Sequence, residues 1–205
     1  MKALLREASG VRLARVPTPR CGPGEVRVRL AFAGVCRTDL YAADGRIPVR
    51  APVILGHELS GVVDAGELPA GTPVTAIPFV PCAACAWADP PRCTEPERLG
   101  VHRDGAFAEH VVLPLGAVLA VPRTMPLLWA AYVEPVAAAL AVLKTPIRPS
   151  ERGWVAGDNR IAELTRRVLH AHGFERVSGA RPDGDPVDFV VETEGSPGRP
   201  AKGDT

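Results

Sequence analysis

Cys36, His57 and Glu134 offer a thiolate, an imidazole and a carboxylate, the donor types that hold a zinc ion with one position left open for a substrate. Cys36 stands in "GVCRTDL" (34–40) and His57 in "GHELSG" (56–61), each where a strand-like apolar run passes into a loop, and Glu134 stands in an apolar stretch with helical texture. Positions of this kind can converge on one cleft, although spacing alone does not bring them together. Taken singly, a cysteine is more often a small buried hydrophobe, and a histidine more often caps or packs than binds metal.

The elements that must position these residues are of two kinds. "EVRVRLAF" (25–32) alternates Val26, Val28, Leu30 and Phe32 with polar or small neighbours, the period of a half-buried strand. "PVILGHELSGVV", "TPVTAIPF", "GAFAEHVVLP" and "AVLAVP" are short apolar runs divided by Gly and Pro, so the first ~120 residues read as an all-β barrel or sandwich. "PLLWAAYVEPVAAALAVLK" (126–144) then predicts helix, with Pro135 in a first turn or at a kink. From Gly153 the texture is α/β: "WVAG" predicts a strand, Ile161, Leu164, Val168 and Leu169 mark a helix face closing at Gly173, and "ERVSG" and "VDFVVET" predict two more strands. The domains expected are 1–148 with the linking helix, 149–196, and a tail, 197–205, rich in Gly, Pro and charge that should fray.

Composition narrows the partners. Lys and Arg number 24 against 23 Asp and Glu with no block of like charge, so neither nucleic acid nor an anionic membrane is a favoured partner. The start lacks the apolar core of a signal peptide, and no stretch approaches the ~20 apolar residues of a membrane span, which makes the cytoplasm the expected compartment. Five cysteines, an odd number, argue for metal binding or free thiols over a disulfide framework.

The quoted runs, with "VEPVAAAL" and "VDFVVETEGSP", follow the order and style of the zinc-dependent medium-chain dehydrogenases, the family of alcohol, sorbitol and threonine dehydrogenases, which this chain resembles over most of residues 1–160. The resemblance implies a GroES-like β-barrel catalytic domain followed by a Rossmann-like α/β segment, incomplete here. Cys36 and His57 match two catalytic-zinc ligands, and Glu134 matches the carboxylate that the polyol-type branch places on or near the metal. Glu58 matches the acid that can enter the zinc shell. Thr38 matches the hydroxyl that passes the substrate's proton towards solvent, and Asp39 would hold the imidazole of His57. Arg37 matches a basic residue facing the cofactor pyrophosphate, though a solvated surface arginine reads equally well. The implied reaction is hydride transfer to NAD or NADP from a small-molecule alcohol, ionised as a zinc-bound alkoxide, or the reverse on a carbonyl. Tyr41, Leu55 and Tyr132 would border its pocket or simply pack.

The family's structural zinc lobe uses four cysteines, of which Cys82, Cys85 and Cys93 match three. Asp89, Glu95 or His102 would supply the fourth ligand, or else the lobe is a remnant. Cys21 reads as a free thiol in a turn.

The dinucleotide fingerprint is where the chain departs. G-x-G-x-x-G becomes "GDNRIA", with Gly157 kept, Asn159 where backbone should approach phosphate, Ala162 at the third position, and Asp158 adding negative charge. Arg181 in "VSGAR" would face a 2′-phosphate if a nucleotide binds. Only ~3 strands follow Gly153 where a doubly wound domain uses ~6. Three functions therefore compete: a dehydrogenase whose cofactor domain is reduced or completed by another chain, a zinc-binding derivative without redox activity, and a zinc-dependent hydrolase or lyase. The unfinished sheet also favours a homo-oligomer or a completing partner chain.

Overall fold

The computed structural model describes residues 1–82, 84–85, 93–181, 184 and 186–194 of the 205. The expected ligand Asp89 and the expected tail lie outside these residues. The chain divides into two compact units, Met1–Glu134 and Pro135–Thr205.

Unit 1 begins with a hairpin, β1 (Lys2–Glu7) and β2 (Gly10–Arg15), and continues into the long strand β3 (Glu25–Gly34). A short helix, α1 (Arg37–Ala43), precedes β4 (Val53–Ile54), which pairs with β1. Then come β5 (Glu58–Gly66), β6 (Pro73–Ala76), β7 (Phe79–Val80), β8 (Glu97–Arg98), β9 (His110–Pro114) and β10 (Val118–Ala120). The main sheet runs β10-β6-β5-β3-β9, every neighbour antiparallel. This is the GroES-like β architecture that the motifs imply.

Alternation drives the core. Val26 and Val28 of β3 are fully buried against Leu59, Val63, Val74 and Leu113 from the neighbouring strands. The alternation does not hold to the end of the strand. Register shifts between Arg27 and Val28 and between Leu30 and Phe32 turn the strand, and Phe32 emerges 44% exposed instead of continuing the inner face.

The apolar stretch after Pro126 is broken into α2 (Leu127–Ala130), α3 (Val133–Leu140) and a 3-10 turn (Ala141–Lys144). Pro135 occupies the first turn of α3, where its missing N–H has no helical partner to lose. Leu127–Lys144 does have the length and apolar composition of a membrane span, contrary to the reading of the sequence. Its helical pieces of 4 and 8 residues, at ~1.5 Å per residue, are too short to cross ~30 Å of hydrocarbon as one rod.

In unit 2, β11 (Gly153–Ala156), α4 (Arg160–Ala171), β12 (Val177–Ser178) and β13 (Phe189–Glu192) form a parallel sheet in the order β12-β11-β13. Its core joins Val155, Ala162, Leu169, Phe174 and Val177. Gly173, at φ +84, follows the α4 C-cap in the left-handed conformation that ends a helix.

Candidate functional site

Antiparallel pairing explains how residues 21 positions apart come together. Gly34, the last residue of β3, is paired with Glu58, the first of β5, so the loop leaving β3 and the turn entering β5 lie side by side. Cys36 is in the first and His57 in the second. Ligand atoms of Cys36, His57 and Glu58 all lie within 4.8 Å of one another. Glu134, in the first turn of α3, is outside that group.

One carboxylate organises the site. Asp39 is 4% exposed; its Oδ2 accepts the Cys36 backbone N–H at 2.8 Å, and its Oδ1 accepts from Nδ1 of His57 at 3.0 Å. With Nδ1 held, Nε2 is the nitrogen left for a metal. Helix α1 carries Asp39 and is anchored by Ala42, buried with Val53 and Leu55. Thr38 Oγ1 lies 3.7 Å from Cys36 Sγ, within hydrogen-bonding reach of the sulfur. Burial opposes ionisation of Cys36, but hydrogen bonding to His57 and Thr38 outweighs it and holds the thiol below its ordinary pKa. Burial also opposes the charged form of His57, and hydrogen bonds to Asp39 and Cys36 outweigh it, pushing the imidazole up to about 10. A half-buried thiol, an oriented imidazole and a fully buried carboxylate are a donor set that fits zinc.

Glycines hold this geometry, and no ligand chemistry marks them in the sequence. A Cβ on Gly34 would sit 2.0 Å from Oε2 of Glu58. Gly56, at φ +97, turns the chain just before His57, and its carbonyl accepts from Ala106 at 3.0 Å while a Cβ on Gly105 would come within 2.0 Å of it. The available signal was a glycine shortly before each ligand, in "GVC" and "GHE".

The other expected residues are placed as follows. Arg37 opens α1. Leu55 is buried core, Tyr132 is 37% exposed, and Tyr41 lies under the Arg46 guanidinium. The thiols of Cys82, Cys85 and Cys93 also lie within 4.8 Å of one another, and Cys82 N–H reaches Cys93 Sγ at 3.3 Å. Hydrogen bonding from the Cys85 backbone and from the neighbouring thiols lowers the Cys82 pKa; bonding to Cys82 and Cys93 pushes Cys85 up to about 11. Glu95 and His102 are exposed and outside the trio, and His102 Nδ1 takes the Arg98 N–H at 3.2 Å. Cys21 is a free, half-buried thiol.

In unit 2, Asn159 is the N-cap of α4. Its side-chain oxygen accepts from Ile161 N at 3.0 Å and Ala162 N at 3.1 Å. Gly157 has φ +120, Asp158 is exposed, and Arg181 lies over the Trp154 ring, 5.7 Å from its centroid.

Residues 22–123 match the model of the alcohol dehydrogenase GroES-like domain. The chain belongs to the medium-chain alcohol dehydrogenase family. It is 32% identical over 186 residues to a sorbitol dehydrogenase of Halalkalibacterium halodurans, covering 84% of this chain and 54% of that protein. Among solved structures, galactitol-1-phosphate dehydrogenase from Escherichia coli superposes with a TM-score of 0.75 at 29% identity, over 86% of this chain and 54% of that one. An alcohol dehydrogenase from Escherichia coli, complexed with NADH, gives 0.76 at 28%, over 95% and 63%. This family member spans about half the length of the sorbitol and galactitol relatives.

Proposed function

We propose that unit 1 is the alcohol-ionising half of a zinc-dependent dehydrogenase of the polyol type, acting on a small alcohol or the corresponding carbonyl. The observation that carries this reading is the gathering of Cys36, His57 and Glu58 within 4.8 Å around an imidazole oriented by Asp39. Cys36 and His57 would hold the ion, with Glu58 or Glu134 as the carboxylate. When bound, zinc supplies the positive charge that lets a hydroxyl lose its proton near neutral pH. Thr38 Oγ1 takes that proton and hands it towards solvent. Asp39 keeps the Nδ1 proton of His57 in place, so a cation bound through Nε2 would displace the other ring proton and leave a neutral, oriented donor. Cys82, Cys85 and Cys93 would hold a second, structural ion. The reading includes a cytoplasmic setting for this activity.

The family's hydride acceptor is a nicotinamide, and the turn ahead of α4 that would carry its phosphates is already filled by Asn159. This chain's own residues therefore take the reaction as far as the ionised alcohol. That filled turn favours a second reading, a zinc-binding member of the family without hydride transfer.

Metal content and cobalt spectroscopy test the site without any nucleotide. After dialysis, Cys36→Ser should lose the ion at Cys36 and His57, whereas Cys85→Ser should lose only the structural one. In the cobalt-substituted protein, a small polyol should shift the visible bands of the ion at Cys36 and His57. Unchanged metal content in Cys36→Ser, or a loaded protein blind to alcohols and polyols, would sink the proposal.

A further inference from the structure

We infer that this chain does not take a dinucleotide at the N-terminus of α4, because the chain's own side chains already occupy the place of the pyrophosphate. In a strand–turn–helix nucleotide site, the free N–H groups of the first helical turn and a glycine-lined approach receive the phosphates. Here both features are taken. Asn159 Oδ1 accepts the N–H groups of Ile161 and Ala162, the donors a phosphate oxygen would use.

The amide group of the same side chain is committed as well. Asn159 Nδ2 donates to Thr193 Oγ1 at 2.9 Å and to the Thr193 carbonyl at 3.3 Å, and Thr193 Oγ1 donates in turn to the Ala156 carbonyl at 2.7 Å. Glu194 completes the closure: its Oε1 accepts the Asp158 N–H at 3.1 Å. The open side of Gly157, where backbone would have to approach a phosphate, faces Thr193 Oγ1, 2.2 Å from where a Cβ would stand. The end of β13 is thus tied to the start of α4 across the mouth of the turn.

Charge does not favour an anion there either. Asp158 and Glu194 bring two carboxylates to the turn, against the guanidinium of Arg160 at the first helical position. Glu163 adds a third, neutralised by Arg166 and Arg167 at 2.8 and 2.7 Å. Arg181, the residue that would greet a 2′-phosphate, lies instead over the Trp154 ring. The result is a helix terminus capped from within, whose role is to fasten β13 to α4.

The test joins two measurements on the zinc-loaded full chain. Titration with NADH and with NADPH, followed by cofactor fluorescence, should show no saturable binding up to about millimolar concentration, the weak end of useful affinity. Hydrogen exchange should find the Ile161 and Ala162 amides protected, and Asn159→Ala should raise their exchange by about tenfold, as expected for loss of a cap. Saturable binding of either dinucleotide overturns the inference, and so does unchanged exchange in the variant. If Asn159→Ala also exposes the β11 amides, unit 2 has opened as a whole. Asn159→Ser then decides, because a serine oxygen still caps: protection restored at Ile161 and Ala162 supports the inference, and protection still lost overturns it. Zinc content on the same samples reports on Cys36 and His57, so a failure of the metal site is seen separately.

Discussion

At the scale of single residues, Asp39 carries the most consequence for its size. It is almost wholly buried, and its two oxygens hold the Cys36 backbone and the His57 ring at once. Asp39→Asn keeps the shape but replaces one acceptor oxygen by a donor, so one of the two bonds is lost. Zinc affinity should fall about 10–100-fold, the usual effect of losing a partner behind a ligating histidine, as measured by competition with a chromophoric chelator. Affinity equal to wild type would mean that Asp39 orients nothing. Gly34 makes a second case. Its alanine variant must push the Glu58 carboxylate aside, because 2.0 Å separates a Cβ from Oε2. The expected outcome is weaker zinc binding with a lower melting temperature, and an unaffected protein would show that Glu58 has room to move.

At the scale of elements, the strands were legible because alternation is a two-residue period with a buried face. Val26, Val28 and Leu113 are in the core where that period puts them. Phe32 is the exception, since a register shift depends on the partner strand and leaves no mark on the strand's own sequence. The β1–β2 hairpin and α1 are not legible in the sequence, for physical reasons as well. Leu13 of β2 is 71% exposed, and α1 has 7 residues, too few for a helical period to declare itself. The candidate ligands Cys36 and His57 stand out through their motifs, whereas the glycines that let two backbones touch are visible only once the backbones have been brought together. Gly105 illustrates this. Gly105→Ala would press on the Gly56 carbonyl, shifting the turn that delivers His57 and overpacking the site at a cost of about 1–3 kcal/mol. Thermal unfolding and zinc content should both fall; a drop in melting temperature with full zinc content would confine the effect to packing.

At the scale of the whole molecule, the two units have separate hydrophobic cores, and the two features argued above fall one in each. The proposed metal ligands Cys36, His57 and Glu58 belong to unit 1, with the core built on Val26, Val28 and Leu59, while the Asn159 cap belongs to unit 2, with the core built on Val155, Ala162 and Leu169. A ligand stabilises what binds it in the folded state: zinc at 100 times its Kd adds about 2.7 kcal/mol, or roughly 100-fold in protection. That increment should appear in the slowest-exchanging amides of β5 and be absent from those of α4. Asn159→Ala should do the reverse, loosening α4 while β5 keeps its zinc-dependent protection. Hydrogen exchange with and without zinc, on both proteins, reads all four quantities. Equal gains in β5 and α4 would mean that the units open together, and the zinc site would then govern the fold of the α/β segment too.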